Sequence, residues 1–566
     1  MAEPEKKKKR LGEILREAGL ISEDQLREAL ETQQRTGERI GKILVKLGMI
    51  EEDKMMDHLG DQLGIPHINL STYSIDPEVV KLIPEKMARK YQAFPLFKIG
   101  DSLTVSMSDP FDVVALDNLK YISKCKIEPA ISSEVKIQRA IDQYYRSLAI
   151  MKEIAEGEES IEVITSDKKD MDLGDTAALM DEAPVIKLIN SVIMQAIQSR
   201  ASDIHIEPEK NILRIRFRID GVLHEIMSPP KRLHAAMVSR VKVMADMDIA
   251  EKRMPQDGRF HVKFWEKEIS FRVSTMAIIH GEKVVLRILD KSAFSFGLEQ
   301  LGLGQAILEE FEKLVRKPYG IVLVTGPTGS GKTTTLYAAL DKINTLDKNI
   351  ITIEDPVEYE LKSINQVPVN AKVGLTFAEV LRTVLRQDPN VIMVGEIRDV
   401  ETAEIAVRAA LTGHLVFSTL HTNDAPGAVT RLIDMGIEPF LISSGILGVL
   451  AQRLVRRLCD KCKEEYVPTK ETVETLGLDV EKEYKLYKPK GCKHCQGTGY
   501  RGRQGIYELF VPDHYVRDLI IRRPSTDMLR QAGIHAGMKS LMEDGFLKVQ
   551  DGLTSIEEVM RVTEEV

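Results

Sequence analysis

Aromatic side chains make up only 5% of the 566 residues, with a single tryptophan, Trp265, so a protein that works by stacking nucleic-acid bases is not expected. Five cysteines in so long a chain make no disulfide scaffold, and a reducing cytosol is the expected compartment. The longest uncharged apolar run, residues 440–451, is too short to span a bilayer. The opening MAEPEKKKKR has no apolar segment behind its charges, so a secretory signal is not expected either. Nor is there a global excess of basic charge. The net charge is −8, from 78 basic and 86 acidic residues, and residues 151–183 alone carry 11 acidic and 3 basic side chains. The rest of the chain is therefore neutral overall, which is not the footprint of a nucleic-acid-binding protein. What is present, 43% hydrophobic and 29% charged residues, fits soluble globular domains, about three or four of them at this length.

The acidic stretch 151–183 has little hydrophobic periodicity and reads as a linker, which predicts a domain at 1–150. Within that domain, residues 10–33 align with residues 39–62 at an offset of 29, ten of 24 positions being identical. Apolar residues at Leu11, Ile14 and Leu15, and at Ile40, Ile43 and Leu44, have helical spacing. Gly19 and Gly48 supply stops, and Ser22 with Gln25 makes a capping box that starts a second helix. Each copy opens with an arginine (Arg10, Arg39) and closes with a glutamine (Gln33, Gln62). The pattern resembles the tandem 24-residue motif of the MshE N-terminal domain family, with the same five-residue spacer. That resemblance implies cyclic di-GMP binding, one motif to each half of the dinucleotide. The residues concerned are Arg10, Leu11, Gly12, Leu15, Gly19, Ile21 and Gln33, with Arg39, Ile40, Gly41, Leu44, Gly48, Ile50 and Gln62. Arginine suits phosphate or a guanine edge, and glycine admits close backbone approach. Plain packing of two helical hairpins is the alternative. Residues 63–150 mix short strands with helices and carry no evident chemistry.

The strongest signal is GIVLVTGPTGSGKTTTLYAAL at residues 320–340. A β-branched apolar run leads into Gly326, Pro327, Thr328, Gly329, Ser330, Gly331, Lys332 and Thr333, then Thr334 and a helix-forming stretch. This is a P-loop in its strand–loop–helix context. Its glycines let backbone N–H groups curl round phosphate oxygens at a helix N-terminus, Lys332 reaches the β/γ-phosphates and Thr333 ligates Mg²⁺. Two further strand-like runs end in carboxylates, at EDPVEYE and at GEIRD. Glu396 stands where a magnesium-binding acid belongs, and the general base is open between Glu354 and Glu358. His414 and His421 flank another apolar run, placed as candidate sensors of the γ-phosphate.

Together GPTGSGKT, EDPVEYE, RQDPNVIMVGEIRD and TGHLVFSTLHTN resemble the secretion ATPase superfamily of type II secretion and type IV pilus systems. SRASDIHIEP, RFRIDG, AEKRMPQDGRF and FRVSTM, upstream, agree. The resemblance implies a RecA-like α/β ATPase domain at 295–566, preceded by a PAS-like α+β lobe at 184–294. It implies a homohexameric ATP-driven motor in which Arg272 and Arg287 of the first lobe, and Arg382 and Arg386 of the second, attend the phosphates. Cys459, Cys462, Cys492 and Cys495 form two CxxC pairs that suit a structural zinc knuckle. The glycine-rich segment after them resembles type II secretion and pilus-extension ATPases, which favours extension over retraction. The expected protein is thus a cytoplasmic motor at the inner membrane, using ATP and Mg²⁺. It would drive pilus assembly through a membrane platform protein and other pilus-machine components, with no nucleic-acid partner. A type II secretion ATPase is the nearest alternative; a DNA translocase and a non-hydrolysing dinucleotide receptor are more distant ones.

Overall fold

The computed structural model describes, apart from a few single positions, residues 15–36, 40–70, 77–145, 162–164, 176–264, 267–290, 297–475 and 484–563. The chain divides into two compact units, Met1–Leu289 and Asp290–Val566.

The first unit begins with the repeated helices. Ser22 and Gln25 cap each other reciprocally, the Ser22 N–H donating to Gln25 Oε1 at 2.8 Å and the Gln25 N–H to Ser22 Oγ at 3.2 Å, and helix Glu23–Thr36 follows. Both copies end their leading helix in the same Schellman turn: Gly19 N–H bonds Arg16 O and Leu20 N–H bonds Leu15 O, and 29 residues on Gly48 bonds Val45 and Met49 bonds Leu44. Leu15, Ile21, Leu26, Leu44, Ile50 and Met55 then bury one shared core. Next comes a three-stranded sheet of Ala93–Ile99, Ser102–Met107 and Lys126–Ile131. Its last two strands are parallel because helix Val113–Ser123, capped by Asp112, carries the chain back between them.

The remainder of this unit is a seven-stranded sheet in the order Glu162–Ile164, Gln256–Phe264, Lys267–Ile278, Gly281–Asp290, Ala201–Pro208, Leu213–Ile219 and Val222–Met227. Buried and more exposed residues alternate along strands such as Leu213–Ile219 and Lys267–Ile278. Ile204, Ile206, Phe217, Phe271, Val273 and Leu286 share a core with helices Thr176–Gln198 and His234–Met244. The opposite face carries Asp203, Glu207, Arg216, Arg218, Arg272 and Arg287. The acidic stretch is consequently not all linker. Glu162–Ile164 pairs antiparallel with Gln256–Phe264, and the following helix already starts at Thr176. An edge strand needs one partner and tolerates charge, so its acidic setting hid it from a composition-based reading.

The second unit is built on a sheet ordered Asn365–Pro368, Ile350–Glu354, Val391–Val394, Leu415–Leu420, Gly320–Thr325, Ile446–Leu458 and Tyr500–Phe510. All pairs are parallel except the last. The central strands are buried along their whole length, as expected of a parallel sheet covered on both faces. Strand Leu415–Leu420 lies between the P-loop strand and Val391–Val394, the strand order of a RecA-like core. The next four strands in sequence lie on one side of the P-loop strand and Ile446–Leu458 on the other, and this reversal of strand order marks a crevice at the carboxyl ends. Among the described residues no helix is long and apolar enough to cross a membrane. The 440–451 run is divided between helix Pro439–Gly445 and strand Ile446–Leu458.

Candidate active site and cysteine cluster

The P-loop leaves the carboxyl end of Gly320–Thr325 and enters helix Lys332–Ile343, whose N-cap is Gly331 and whose first N–H groups have no side-chain cap. Lys332 Nζ folds back onto the loop and donates to Gly326 O at 2.7 Å and Pro327 O at 3.0 Å. Burial and the nearby Arg453 guanidinium push the Lys332 ammonium down to about 8, against the attraction of Glu396. A group so placed gains from a phosphate anion that replaces its backbone acceptors.

Glu396 follows strand Val391–Val394 and His421 follows Leu415–Leu420, so both side chains reach the crevice. His421 Nε2 is 3.5 Å from Glu396 Oε2, and Arg398 is paired with the other Glu396 oxygen. Burial, and then the Lys332 charge, hold the His421 imidazole below its ordinary value, which favours the neutral ring at pH 7. The strand ends are tied together through Thr325, whose Oγ1 lies 2.7 Å from Thr422 Oγ1 and accepts from Thr422 N–H at 2.9 Å.

The structure separates several residues that the sequence grouped. His414 sits at the opposite end of Leu415–Leu420, its carbonyl accepting from Gly320 N–H at the start of the P-loop strand. A strand of six residues spans roughly 20 Å, so within this unit His414 is not a phosphate sensor beside Lys332. Its ring Nδ1 is instead 3.1 Å from Ala409 O. Glu354 is 3% exposed and its carboxylate is already occupied. It accepts from Thr352 Oγ1 at 2.6 Å, from Gln366 Nε2 at 3.0 Å and from the Tyr337 hydroxyl. Glu354 thereby ties helix Lys332–Ile343 to the sheet; Glu358, the other base candidate, is half-buried in the following loop. Arg382 and Arg386 are exposed on and after helix Phe377–Val384. Arg382 pairs with Glu379 and Glu401, and Arg386 donates to Arg382 O at 2.9 Å.

Arg272 and Arg287 lie in the first unit, on the open face of its sheet. Arg287 Nε is 3.2 Å from Asp203 Oδ1. Arg272 stands directly across from Arg259 on the neighbouring strand, an exposed pair of like charges. Of the dinucleotide positions, Arg10, Leu11, Gly12 and Arg39 lie outside the described residues. Leu15, Ile21, Leu44 and Ile50 are buried in the repeat core, and Ile40 packs against it. Gly19 and Gly48 make the Schellman turns, Gly41 is buried, Gln33 is half-buried, and Gln62 falls in helix Glu52–Leu63.

The four cysteines converge at the foot of the antiparallel pair Ile446–Leu458 and Tyr500–Phe510. Their sulfurs all lie within 4.8 Å of one another. Cys459–Cys492 is 3.9 Å, and Cys462–Cys495 and Cys492–Cys495 are each 3.7 Å. Four thiolates at ~2.3 Å from a central zinc would be ~3.8 Å apart, so the set fits a tetrahedral ion and none of these pairs is a disulfide. His494 turns outward to Arg501 and is no ligand.

Two residues of the nucleotide crevice escaped the motif reading. Gln452 and Arg453 lie on strand Ile446–Leu458, 2% and 6% exposed, against the P-loop itself. Gln452 Nε2 donates to Ser330 O at 2.6 Å, and Arg453 donates to Asn423 O at 2.9 Å. The one sequence signal was a polar pair inside an otherwise apolar strand, ILGVLAQRLV.

A P-loop, an acid and a histidine gathered at the carboxyl ends of parallel strands in RecA-like order define an ATPase. The type II/IV secretion system protein family matches residues 178–561, and the chain belongs to that family. An MshEN domain matches residues 63–150, immediately after the repeats. The chain is 48% identical to the type IV pilus assembly ATPase PilB of Myxococcus xanthus, over 97% of this chain and 98% of the relative. It is also 48% identical to the type II secretion system ATPase E of Vibrio cholerae, over 81% of this chain and 91% of that one. The solved structure of the Legionella pneumophila ATPase DotB, 21% identical, covers 70% of this chain and 98% of its own with a TM-score of 0.50, a likeness of fold.

Proposed function

We propose that this chain is the ATP-hydrolysing motor of type IV pilus assembly. It works as a homohexamer at the cytoplasmic face of the inner membrane and passes its movement to a platform protein there. The observation that carries the reading is the assembly of Lys332, Glu396 and His421 at one crevice. The match over nearly the whole of a pilus assembly ATPase, N-terminal region included, favours pilus assembly over secretion.

In this reading the P-loop amides and Lys332 hold the β- and γ-phosphates, and Thr333 with Glu396 would hold Mg²⁺, which supplies charge neutralisation on the phosphates. Glu358 takes the proton of the attacking water, and neutral His421 bonds near the γ-phosphate. Arg272 and Arg287, with Arg382 and Arg386, balance the charge of the transition state. To hold the metal, Glu396 would have to release the oxygen now paired with Arg398. The cysteines hold zinc as a structural clamp. The repeats bind cyclic di-GMP and bias assembly.

Deletion of the gene, with complementation by the natural sequence or by Glu396→Gln, tests the motor. Surface pili return only with the natural sequence. Normal pili with loss of protein secretion would instead assign the chain to type II secretion. Arg10→Ala or Arg39→Ala weakens dinucleotide binding while basal phosphate release persists; unchanged binding in both removes the signalling role. Metal analysis of the purified chain returns one zinc, and Cys495→Ser loses it.

A further inference from the structure

The P-loop motif specifies a flexible, glycine-rich segment but not what holds it in shape before phosphate arrives. The strand beside it does. Thr325, the last residue of the P-loop strand, is paired with Ala451, so Gln452 is the next residue along and stands at the mouth of the loop. A glutamine 2% exposed in an apolar strand must have both ends of its amide satisfied, and it has: Nε2 donates to Ser330 O at 2.6 Å, and Oε1 accepts from Thr335 Oγ1 at 2.7 Å. Thr335 is fully buried in the first turn of helix Lys332–Ile343.

The glycines on either side record how closely this residue approaches. A Cβ on Gly331 would lie 2.7 Å from Gln452 Nε2, and one on Gly326 would lie 2.4 Å from Gln452 O. Both glycines also have positive φ, +90° and +146°. The peptide between Ser330 and Gly331 is planar and trans, so its N–H points opposite to its C=O. With the carbonyl held against Gln452, the Gly331 N–H is turned away from that strand.

We infer that Gln452 is a positioning residue for the phosphate-binding loop, setting the Ser330–Gly331 peptide and joining the loop to the first turn of its helix. Its amide acts on the loop backbone and touches no reacting atom. The inference rests on the ATPase reading of the P-loop.

The test uses the full-length chain with Mg·ADP and Mg·ATP. Gln452→Leu keeps the volume and removes both hydrogen bonds. It is expected to weaken Mg·ADP binding and raise KM for ATP by about tenfold, with kcat changed less than threefold, while the melting temperature without nucleotide falls by about a few degrees because Ser330 O and the Thr335 hydroxyl lose their partner. Thr335→Val, an isosteric change in a buried position, weakens Mg·ADP binding by about threefold through loss of the bond that orients the amide. A folded Gln452→Leu with unaltered ADP affinity and KM overturns the inference. Should Gln452→Leu fail to fold, unaltered ADP affinity in Thr335→Val overturns it equally. Lys332→Ala separates this from failure of the underlying reading: if that variant binds Mg·ADP normally, the P-loop is not the nucleotide site at all.

Discussion

The two units each contain a seven-stranded sheet, and the sheets place charge in different ways. In the ATPase unit the central parallel strands are buried along their whole length, so most polar chemistry is expelled to the strand ends and gathers at one edge. In the other unit inner antiparallel strands alternate buried and exposed residues, so one face is free for charge; Arg287 lies on it beside Asp203, and Arg272 lies opposite Arg259. A parallel sheet concentrates function on a line, whereas an antiparallel one spreads it over an area. Substitutions at the edge of the first sheet should therefore be severe and local, and those on the face of the second graded.

The largest effect belongs to that edge. Lys332→Ala and Glu396→Gln are expected to lower steady-state phosphate release by about three orders of magnitude, since each removes a charge proposed to engage the nucleotide or its metal directly. Arg272→Ala and Arg287→Ala should follow, each costing about 10²-fold in kcat. A rate within twofold of the natural protein would leave the open face structural and break the comparison. Third come the histidines, which test the edge against the opposite end of the same strand: His421→Ala should slow hydrolysis by about tenfold and His414→Ala by less than twofold in the same assay.

The smallest effect concerns Glu508, a buried acid on the one antiparallel strand of the ATPase sheet. Burial pushes its carboxyl up to about 7, with the Asp424 charge adding to the shift, although it accepts from Ala425 N–H at 2.7 Å. Its folded value exceeds its unfolded one, so the folded chain holds an extra proton between pH ~4.5 and 7, and stability falls as pH rises through that window. Glu508→Gln keeps an acceptor without the charge. It should raise the melting temperature at pH 8 by about a few degrees and have almost no effect at pH 4.5. Equal shifts at both pH values would mean that the carboxyl is not neutral when buried.

Much of this site was legible because its signals are local. The P-loop needs its residue types in consecutive positions, the cysteines come as two close pairs, and the repeats announced their turns through Gly19 and Gly48. Strand order, cavity and hydrogen-bond saturation are not local. His414 and His421 look equivalent in sequence because both border one apolar run; a strand has two ends, and a parallel sheet makes chemistry at one of them. Glu354 reads as a base candidate until Tyr337, Thr352 and Gln366 are seen around its oxygens. The strand Glu162–Ile164 was lost inside a charge run for the same reason, since its partner lies about a hundred residues away.

The amino-acid order by itself therefore determined which groups are available: a phosphate loop, an acid after a strand, four thiols and a twice-repeated helical turn. These follow from backbone geometry over a few residues, where side-chain type governs φ, capping and spacing directly. Tertiary structure decided which of them meet, that Gln452 and not another residue steadies the loop, and which carboxylate is already spent. Those outcomes depend on the register of strands distant in sequence and on the burial they create, and no short stretch of chain contains that information.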